Sequence, residues 1–228
     1  MDMGLRDKVA IITGGSYGIG KAAALSMARE GARVILVARR PDVLDEACQD
    51  IKTATEGIAI PVVGDVSDHD AADRVVKAAL DNFGRVDILV NNAGASLAKN
   101  FEDVTDDEWE FDFDLKVWGA VRFIRSVVPE MRKVGGGRII NIGGMAARNA
   151  GNLTNSNGVT NSAVSNIAKN LGDQVAHLGI LVNCIHPGTT RTPRQVELLE
   201  RRARDANIAV EEAERRTVSE IPIGRMVE

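Results

Sequence analysis

Tyrosine occurs once in this chain, at Tyr17, and aromatic residues make up only 4% of its 228 residues. Any chemistry that needs a phenol therefore has one position to use, and that position lies in a glycine-rich loop near the N-terminus. Cysteine is nearly as scarce. Cys48 and Cys184 stand far apart, without the spacing of a thiolate metal site or of a disulfide framework. They read as one helix thiol and one buried strand thiol in a reducing compartment, with no metal site. Charge of one sign is missing too: 28 Lys+Arg against 32 Asp+Glu leave a net −4, with no basic balance to suit nucleic acid or an anionic membrane. The longest apolar strings, at 9–12 and 34–38, are far too short to cross a bilayer, and no signal peptide precedes them. Together these absences predict a cytoplasmic protein with neither nucleic acid nor membrane as partner.

What is present is a 44% hydrophobic composition, enough for one domain over 1–228 with a substantial core. Short Val/Ile-rich runs at 9–13, 34–38, 58–63, 88–90, 138–142 and 180–185 read as buried strands. Between them, helical periods run over 20–30, 42–54, 69–83, 106–133 and 156–178; Val164, Ile167, Leu171 and Val175 form one apolar stripe. Alternating strand and helix predicts an α/β fold: a doubly wound, Rossmann-like parallel sheet with right-handed crossovers and helices on both faces. After Pro187-Gly188 the pattern changes. Residues 189–217 are strongly charged, with arginines at 191, 194, 201, 202, 204, 215 and 216. This stretch fits either a solvated pair of amphipathic helices or a lid over a ligand site at the carboxyl ends of the strands.

Thr13-Gly14-Gly15-Ser16-Tyr17-Gly18-Ile19-Gly20 follows the first strand and opens the first helix. Gly14 and Gly18 permit tight turns and close backbone approach, and Gly20 lets helix and strand pack closely. The helix N-terminus then offers unpaired N–H groups to a pyrophosphate. A glycine trio in this strand-to-helix setting predicts dinucleotide binding.

The T-G-x-x-x-G-I-G loop resembles that of the short-chain dehydrogenase/reductase family. So do Asp65-Val66 after the third strand, Asn91-Asn92-Ala93-Gly94 after the fourth, and Pro187-Gly188 with Thr192 after the sixth. The likeness covers nearly the whole chain and implies strand order 3-2-1-4-5-6. By that resemblance Asp65 contacts adenine, Asn91 braces the sheet, Asn92, Ala93 and Gly94 line the cofactor, and Pro187, Gly188 and Thr192 line its nicotinamide. Where NAD-preferring members place an acid at the end of the second strand, this chain has Ala38 and then Arg39-Arg40. Cations there suit a 2′-phosphate, which predicts NADP(H) over NAD(H); two exposed arginines at a strand end are the alternative.

The resemblance also implies a catalytic Asn-Ser-Tyr-Lys set, and all four positions differ. Asp114 stands for the asparagine, Gly144 for the serine, Asn157 for the tyrosine and Asn161 for the lysine. An amide does not deliver a proton near neutral pH, so ordinary turnover is expected to fall by about 10²–10⁴. His186, just before Pro187-Gly188, is an alternative acid/base or simply a histidine closing a strand. Asp114 is either a tolerated relay residue or a carboxylate with work of its own; Asp112, two positions back on a helix, is expected to point elsewhere. Thr154, Asn155, Ser156 and Thr160 add a polar, non-titrating surface suited to a small-molecule ligand.

Three functions remain open on the sequence: a carbonyl/alcohol oxidoreductase with an unusual proton donor, a non-catalytic NADP(H) sensor or partner subunit, and a non-redox lyase or isomerase. The chain stops at Glu228, where family members continue into a further helix and a last strand: either that strand is lacking, which would leave a sheet edge uncovered, or the sequence is a shortened one. A homodimer or higher homo-oligomer, paired along the helix carrying Leu115, Trp118, Val121, Ile124 and Met131, is the expected assembly.

Overall fold

The structure, a computed structural model, describes residues 2–95, 99–149 and 155–228. Its central strands form because β-branched runs are placed where both faces are covered. In β1 (Val9–Thr13) side chains alternate between two cores: Val9 and Ile11 enter one, Ala10 and Ile12 the other, all four fully buried. β2 (Arg33–Ala38), β3 (Ala59–Val63), β4 (Ile88–Asn91), β5 (Gly137–Ile142) and β6 (Ile180–Ile185) pair in parallel in the order β3-β2-β1-β4-β5-β6. The order reverses between β1 and β4, and in such sheets ligands bind in the crevice at the carboxyl ends of the strands there.

Helices cover both faces. α1 (Gly18–Arg29) and α2 (Pro41–Thr55) pack Ala24, Ala28, Leu44, Ala47 and Ile51 on one. On the other lie α3 (Ala71–Phe83), α5 (Gly119–Lys133) and α6 (Asn155–Val175), which bring Val75, Val76, Phe123, Val127, Met131 and Val175. Fully burying side chains of this size contributes roughly 1.5–3 kcal/mol each, so the two layers fix the sheet that positions the loops above it. No helix among the described residues is long and apolar enough to cross a membrane.

The sequence predicts one continuous helix over 106–133, and the structure corrects this. α4 (Asp106–Asp112) runs into a π-helical turn, Phe113–Trp118, before α5 begins. A π turn widens the spiral, is rare, and occurs frequently at functional sites because it re-aims side chains. Past β6, α7 (Pro193–Ala206) and α8 (Val210–Ser219) enclose a small core of their own, Leu199, Ala203, Ala213 and Met226. Val227 returns to bridge Thr190 in parallel, and its carbonyl accepts from Arg191 N at 2.8 Å. β6 is an edge of the sheet, with Leu181 and Ile185 about half exposed.

Candidate functional site

The glycine loop sits at the reversal of the sheet. Gly14 (φ +63°) and Gly18 (φ +59°) adopt left-handed backbone that side-chain-bearing residues rarely accept. A Cβ on Gly20 would collide with the Gly14 carbonyl and come within 2.5 Å of Asn92 Nδ2, so only glycine allows α1 to start here. Asn92 holds the loop to β4 by donating to Thr13 O (3.0 Å) and Gly14 O (2.9 Å). The Thr13 hydroxyl accepts from the backbone N–H of Asn92 (2.9 Å) and Ala93 (3.0 Å). Tyr17 occupies the position before α1 in extended backbone, makes no capping hydrogen bond, and is about half exposed; no acid lies in the first turn. The positive end of α1 is therefore left for an anion. Ser16 is buried within the loop and Ile19 is half-buried on α1.

At the end of β2, Arg39 reaches the Asp65 carboxylate at 3.7 Å across β3, and Arg40 leads into α2, exposed. Asp65 is otherwise held in a turn, accepting from Ser67 N (3.0 Å) and Ser67 Oγ (2.7 Å). Val66 is buried against Gly119. The segment after β6 closes the other side. A Cβ on Gly18 would meet Thr192 Cγ2 at 3.2 Å, and Arg194 donates to the Gly94 carbonyl at 3.2 Å. The Thr192 hydroxyl also accepts from Gln195 N (3.2 Å) to cap α7. Pro187 and Gly188 join this segment to β6. The glycine loop, Asn92–Gly94 and Thr192–Arg194 thus lie against one another at the carboxyl ends of the strands.

The opposite end of the cleft is built on α6 and the π turn. Asn91 donates to Asn141 Oδ1 (3.0 Å), and Asn141 donates to Val164 O (3.2 Å), locking β4, β5 and α6 together. Asn161 is buried and donates to Asn157 Oδ1 (3.1 Å), so the two amides satisfy each other in part. A Cβ on Gly144 would stand 2.8 Å from Asn161 Nδ2, which places the three substituted positions side by side. His186 is engaged by the backbone: its Nδ1 accepts from Gly144 N at 3.1 Å, and its Nε2 lies 3.4 Å from Ser165 Oγ. That assigns the ring proton to Nε2. Asn155 donates to Lys99 O at 2.7 Å, and Thr160 to Asn157 O at 3.2 Å. Thr154 lies outside the described residues.

The two aspartates exchange the places the sequence gives them. Asp112 is buried and takes a hydrogen bond from the Ser156 hydroxyl of α6, whereas Asp114 turns to Arg122 at 2.7 Å. The π turn following Asp112 is the reason, since its spacing differs from the α-helical spacing on which the expectation rests. Sequence reasoning also missed Lys116, on the same π turn. Its amine lies near Gly94, 3.6 Å from where a Cβ on that glycine would stand, beside a chamber that Thr13, Asn91, Ala93 and Asn141 also line. Burial pushes its ammonium down to about 8, opposed by Cys184 and Asp112 and reinforced by the Arg194 cation. The only sequence signal is a lysine set between Leu115 and Val117 in an otherwise apolar stretch. Cys184, half-buried on β6, has its thiol raised by burial, so it stays protonated at neutral pH.

Comparison with known proteins gives a consistent picture. The short chain dehydrogenase family pattern matches residues 8–203. Dehydrogenase/reductase SDR family member 4 of Oryctolagus cuniculus is 34% identical over 206 residues, covering 90% of this chain and 78% of that one. Short-chain reductase protein NovJ of Streptomyces niveus is 35% identical over 209 residues, covering 91% and 79%. Among solved structures, L-sorbose reductase from Gluconobacter frateurii, complexed with NADPH and L-sorbose, superposes with a TM-score of 0.95 at 37% identity over 100% of this chain and 87% of that chain. The actinorhodin polyketide ketoreductase with NADPH gives 0.93 at 29% identity, covering 97% and 85%.

Proposed function

The chain belongs to the short-chain dehydrogenase family, and we propose that it is an NADP(H)-binding oxidoreductase of small carbonyl or alcohol substrates whose usual proton donor is missing. The observation that carries this reading is the cleft itself: an uncapped, acid-free α1 N-terminus beside Gly14 and Gly18, with Arg39 and Arg40 at the end of β2. The first-turn N–H groups of α1 would hold the pyrophosphate. Arg39 and Arg40 would grip a 2′-phosphate, a group NAD(H) lacks. Neighbours of known structure that hold NADPH support the same preference. When bound, NADPH supplies a hydride to a carbonyl carbon. Asn157 Nδ2 can donate a hydrogen bond to the carbonyl oxygen, which orients it without protonating it. Unless another group supplies the proton, turnover is expected to be lower by about 10²–10⁴ than in a site with a positioned acid.

Calorimetry with NADPH and NADH tests the reading directly. Micromolar binding of NADPH, weaker for NADH, is expected; binding of neither would remove it. L-sorbose is the first substrate probe, because a 37% identical neighbour holds it beside NADPH. Slow loss of NADPH absorbance is the expected result.

A second reading, a non-catalytic NADP(H) sensor or partner subunit, is favoured by the Asn157–Asn161 pair, which ties up the two α6 positions in each other. It predicts cofactor binding with no turnover and co-purification with an active relative. On either reading the chain acts as one domain in the cytoplasm, with 189–217 as a lid over the cleft. Leu115, Ile124 and Met131, expected to pair subunits, are buried in the core instead; the homodimer or higher homo-oligomer we propose would use the surface where Trp118 and Phe111 stand about half exposed. A monomeric sedimentation profile at micromolar concentration would refute the assembly.

A further inference from the structure

Most titratable groups at the reaction end of the cleft are already committed. Asp112 is held by Ser156, Asp114 by Arg122, and His186 by the Gly144 N–H and Ser165. Cys184 is a protonated, half-buried thiol. The α6 positions carry amides only, and two buried acceptors on this wall, Asp112 Oδ1 and Asn161 Oδ1, have no donor among the described residues. Lys116 is different. Its amine makes no hydrogen bond or ion pair with any described residue, lies beside Gly94, and borders a water-sized space lined also by Thr13, Asn91, Ala93 and Asn141 at the carboxyl ends of β1, β4 and β5.

We propose that Lys116, delivered from the π turn rather than from α6, replaces the missing tyrosine–lysine pair as the proton donor to the oxygen of a carbonyl substrate. The proposal rests on the NADP(H) cleft described above. In the step, the carbonyl carbon accepts the hydride, its C=O π electrons move to oxygen, and that oxygen takes a proton from the Lys116 ammonium. The products are the alcohol and the oxidised cofactor, and the neutral amine regains its proton from water. The π turn is what makes the arrangement possible, because it swings Lys116 toward the Asn92–Gly94 loop while Asp112 turns to α6. Groups that face the amine are Asp112 from α4, Cys184 from β6 and Arg194 from α7. With burial and the Arg194 cation outweighing Asp112 and Cys184, the ammonium loses its proton near pH 8. It is still charged at neutrality yet close to the range where a general acid is most effective.

The first readout needs no turnover. The cofactor-free chain is labelled with trace acetic anhydride across pH 6–11, and each lysine is quantified by peptide mass spectrometry. Lys116 is expected to become reactive near pH 8, well below the exposed lysines, and saturating NADPH is expected to shield it. Reactivity that follows the exposed lysines, or equal labelling with and without NADPH, overturns the assignment. The second readout is NADPH loss with L-sorbose and with benzaldehyde. Wild-type rate is expected to be level below about pH 8 and to fall about tenfold per unit above it. Lys116→Met should lose about 10²–10⁴ of that rate and its pH limb, while Lys116→Arg recovers part of the rate and moves the limb alkaline. If calorimetry shows NADPH bound but Lys116→Met keeps wild-type rate and profile, Lys116 is not the donor and the cleft reading stands. The same holds if bound NADPH is never consumed with either probe. If NADPH does not bind, the cleft reading itself fails and this proposal falls with it.

Discussion

The two ends of the cleft are made of the same sheet and differ in what their side chains can do. At the end proposed to hold the cofactor phosphates, over β1 and β2, what the chain offers is backbone geometry and fixed charge: glycines in left-handed backbone, an uncapped helix N-terminus, Arg39 and Arg40. At the reaction end, over β4 to β6, the scaffold is as firmly made, with Asn91, Asn141 and α6 hydrogen-bonded in sequence. The positions where the family resemblance expects a serine, a tyrosine and a lysine, however, are Gly144, Asn157 and Asn161, none of which titrates near neutral pH; a titrating group at this end is Lys116, on the π turn. Holding a cofactor and using one are therefore separable properties of this fold. The first depends on a loop and a helix end; the second depends on a few side chains that can be exchanged while the sheet beneath them stays intact.

Restoring the reaction end should have the largest effect. Gly144→Ser, Asn157→Tyr and Asn161→Lys combined are expected to raise NADPH-dependent reduction by about 10²–10⁴. Gly144→Ser alone should do little but push on Asn161, whose amide would lie 2.8 Å from the new Cβ. Asn161 is 1% exposed, so a lysine there has to reach into the cleft, and thermal unfolding should be followed alongside activity. A well-folded triple variant that binds NADPH and still does not turn over would show that the ends are not independent.

A blow to the base of the sheet should strike both ends alike. Asp87 is buried below β1 and β4, accepting from Val9 N (3.0 Å), Arg85 Nε (2.8 Å), Arg85 NH2 (2.6 Å) and Lys8 Nζ (3.3 Å). Burial pushes its carboxyl up, but the Arg85, Val9 and Lys8 contacts outweigh burial and hold it below its ordinary 3.8. A carboxylate with a lowered folded value contributes stability that is present above pH 3.8 and is lost as pH falls through the folded value. Asp87→Asn should cost about 2–3 kcal/mol in denaturant unfolding at neutral pH, because Arg85 and Lys8 are partly exposed and keep some water. The difference from wild type should shrink in acid. A difference that grows below pH 4 would mean that the folded chain raises this carboxyl instead of lowering it.

How much of this was legible in sequence follows the same division. The glycine loop and the strands could be read because their causes are local: positive φ needs glycine, and the central strands, covered on both faces, need unbroken Val and Ile. The reaction end could be read only as absences. That His186 is engaged by the Gly144 N–H and that Asp112 rather than Asp114 faces α6 depend on partners far along the chain; that Asn157 and Asn161, one helical turn apart, bond to each other depends on side-chain rotamers that spacing alone does not set. Lys116 escaped notice for a sharper reason. Helical periodicity over 106–133 assumes one spacing throughout, and the π turn at Phe113–Trp118 changes that spacing where the site lies.

The smallest effect should come from the phosphate end, and it isolates cofactor choice from everything else. Arg39 is two-thirds exposed and reaches Asp65 at 3.7 Å, so the pair contributes little to stability. Arg39→Ala should leave thermal unfolding nearly unchanged. What it removes is a guanidinium that can grip a 2′-phosphate, a contact that NADH cannot make. The NADPH/NADH affinity ratio is therefore expected to fall about tenfold, the equivalent of one charge-assisted contact of about 1.4 kcal/mol, with NADH affinity little altered. Arg40, next along and exposed, should retain part of the preference. If calorimetry finds the ratio unchanged, Arg39 is occupied by Asp65 in solution and the selectivity lies with Arg40. A fall in both affinities together would instead mean that Arg39 positions the adenosine end for either cofactor by holding Asp65 in place.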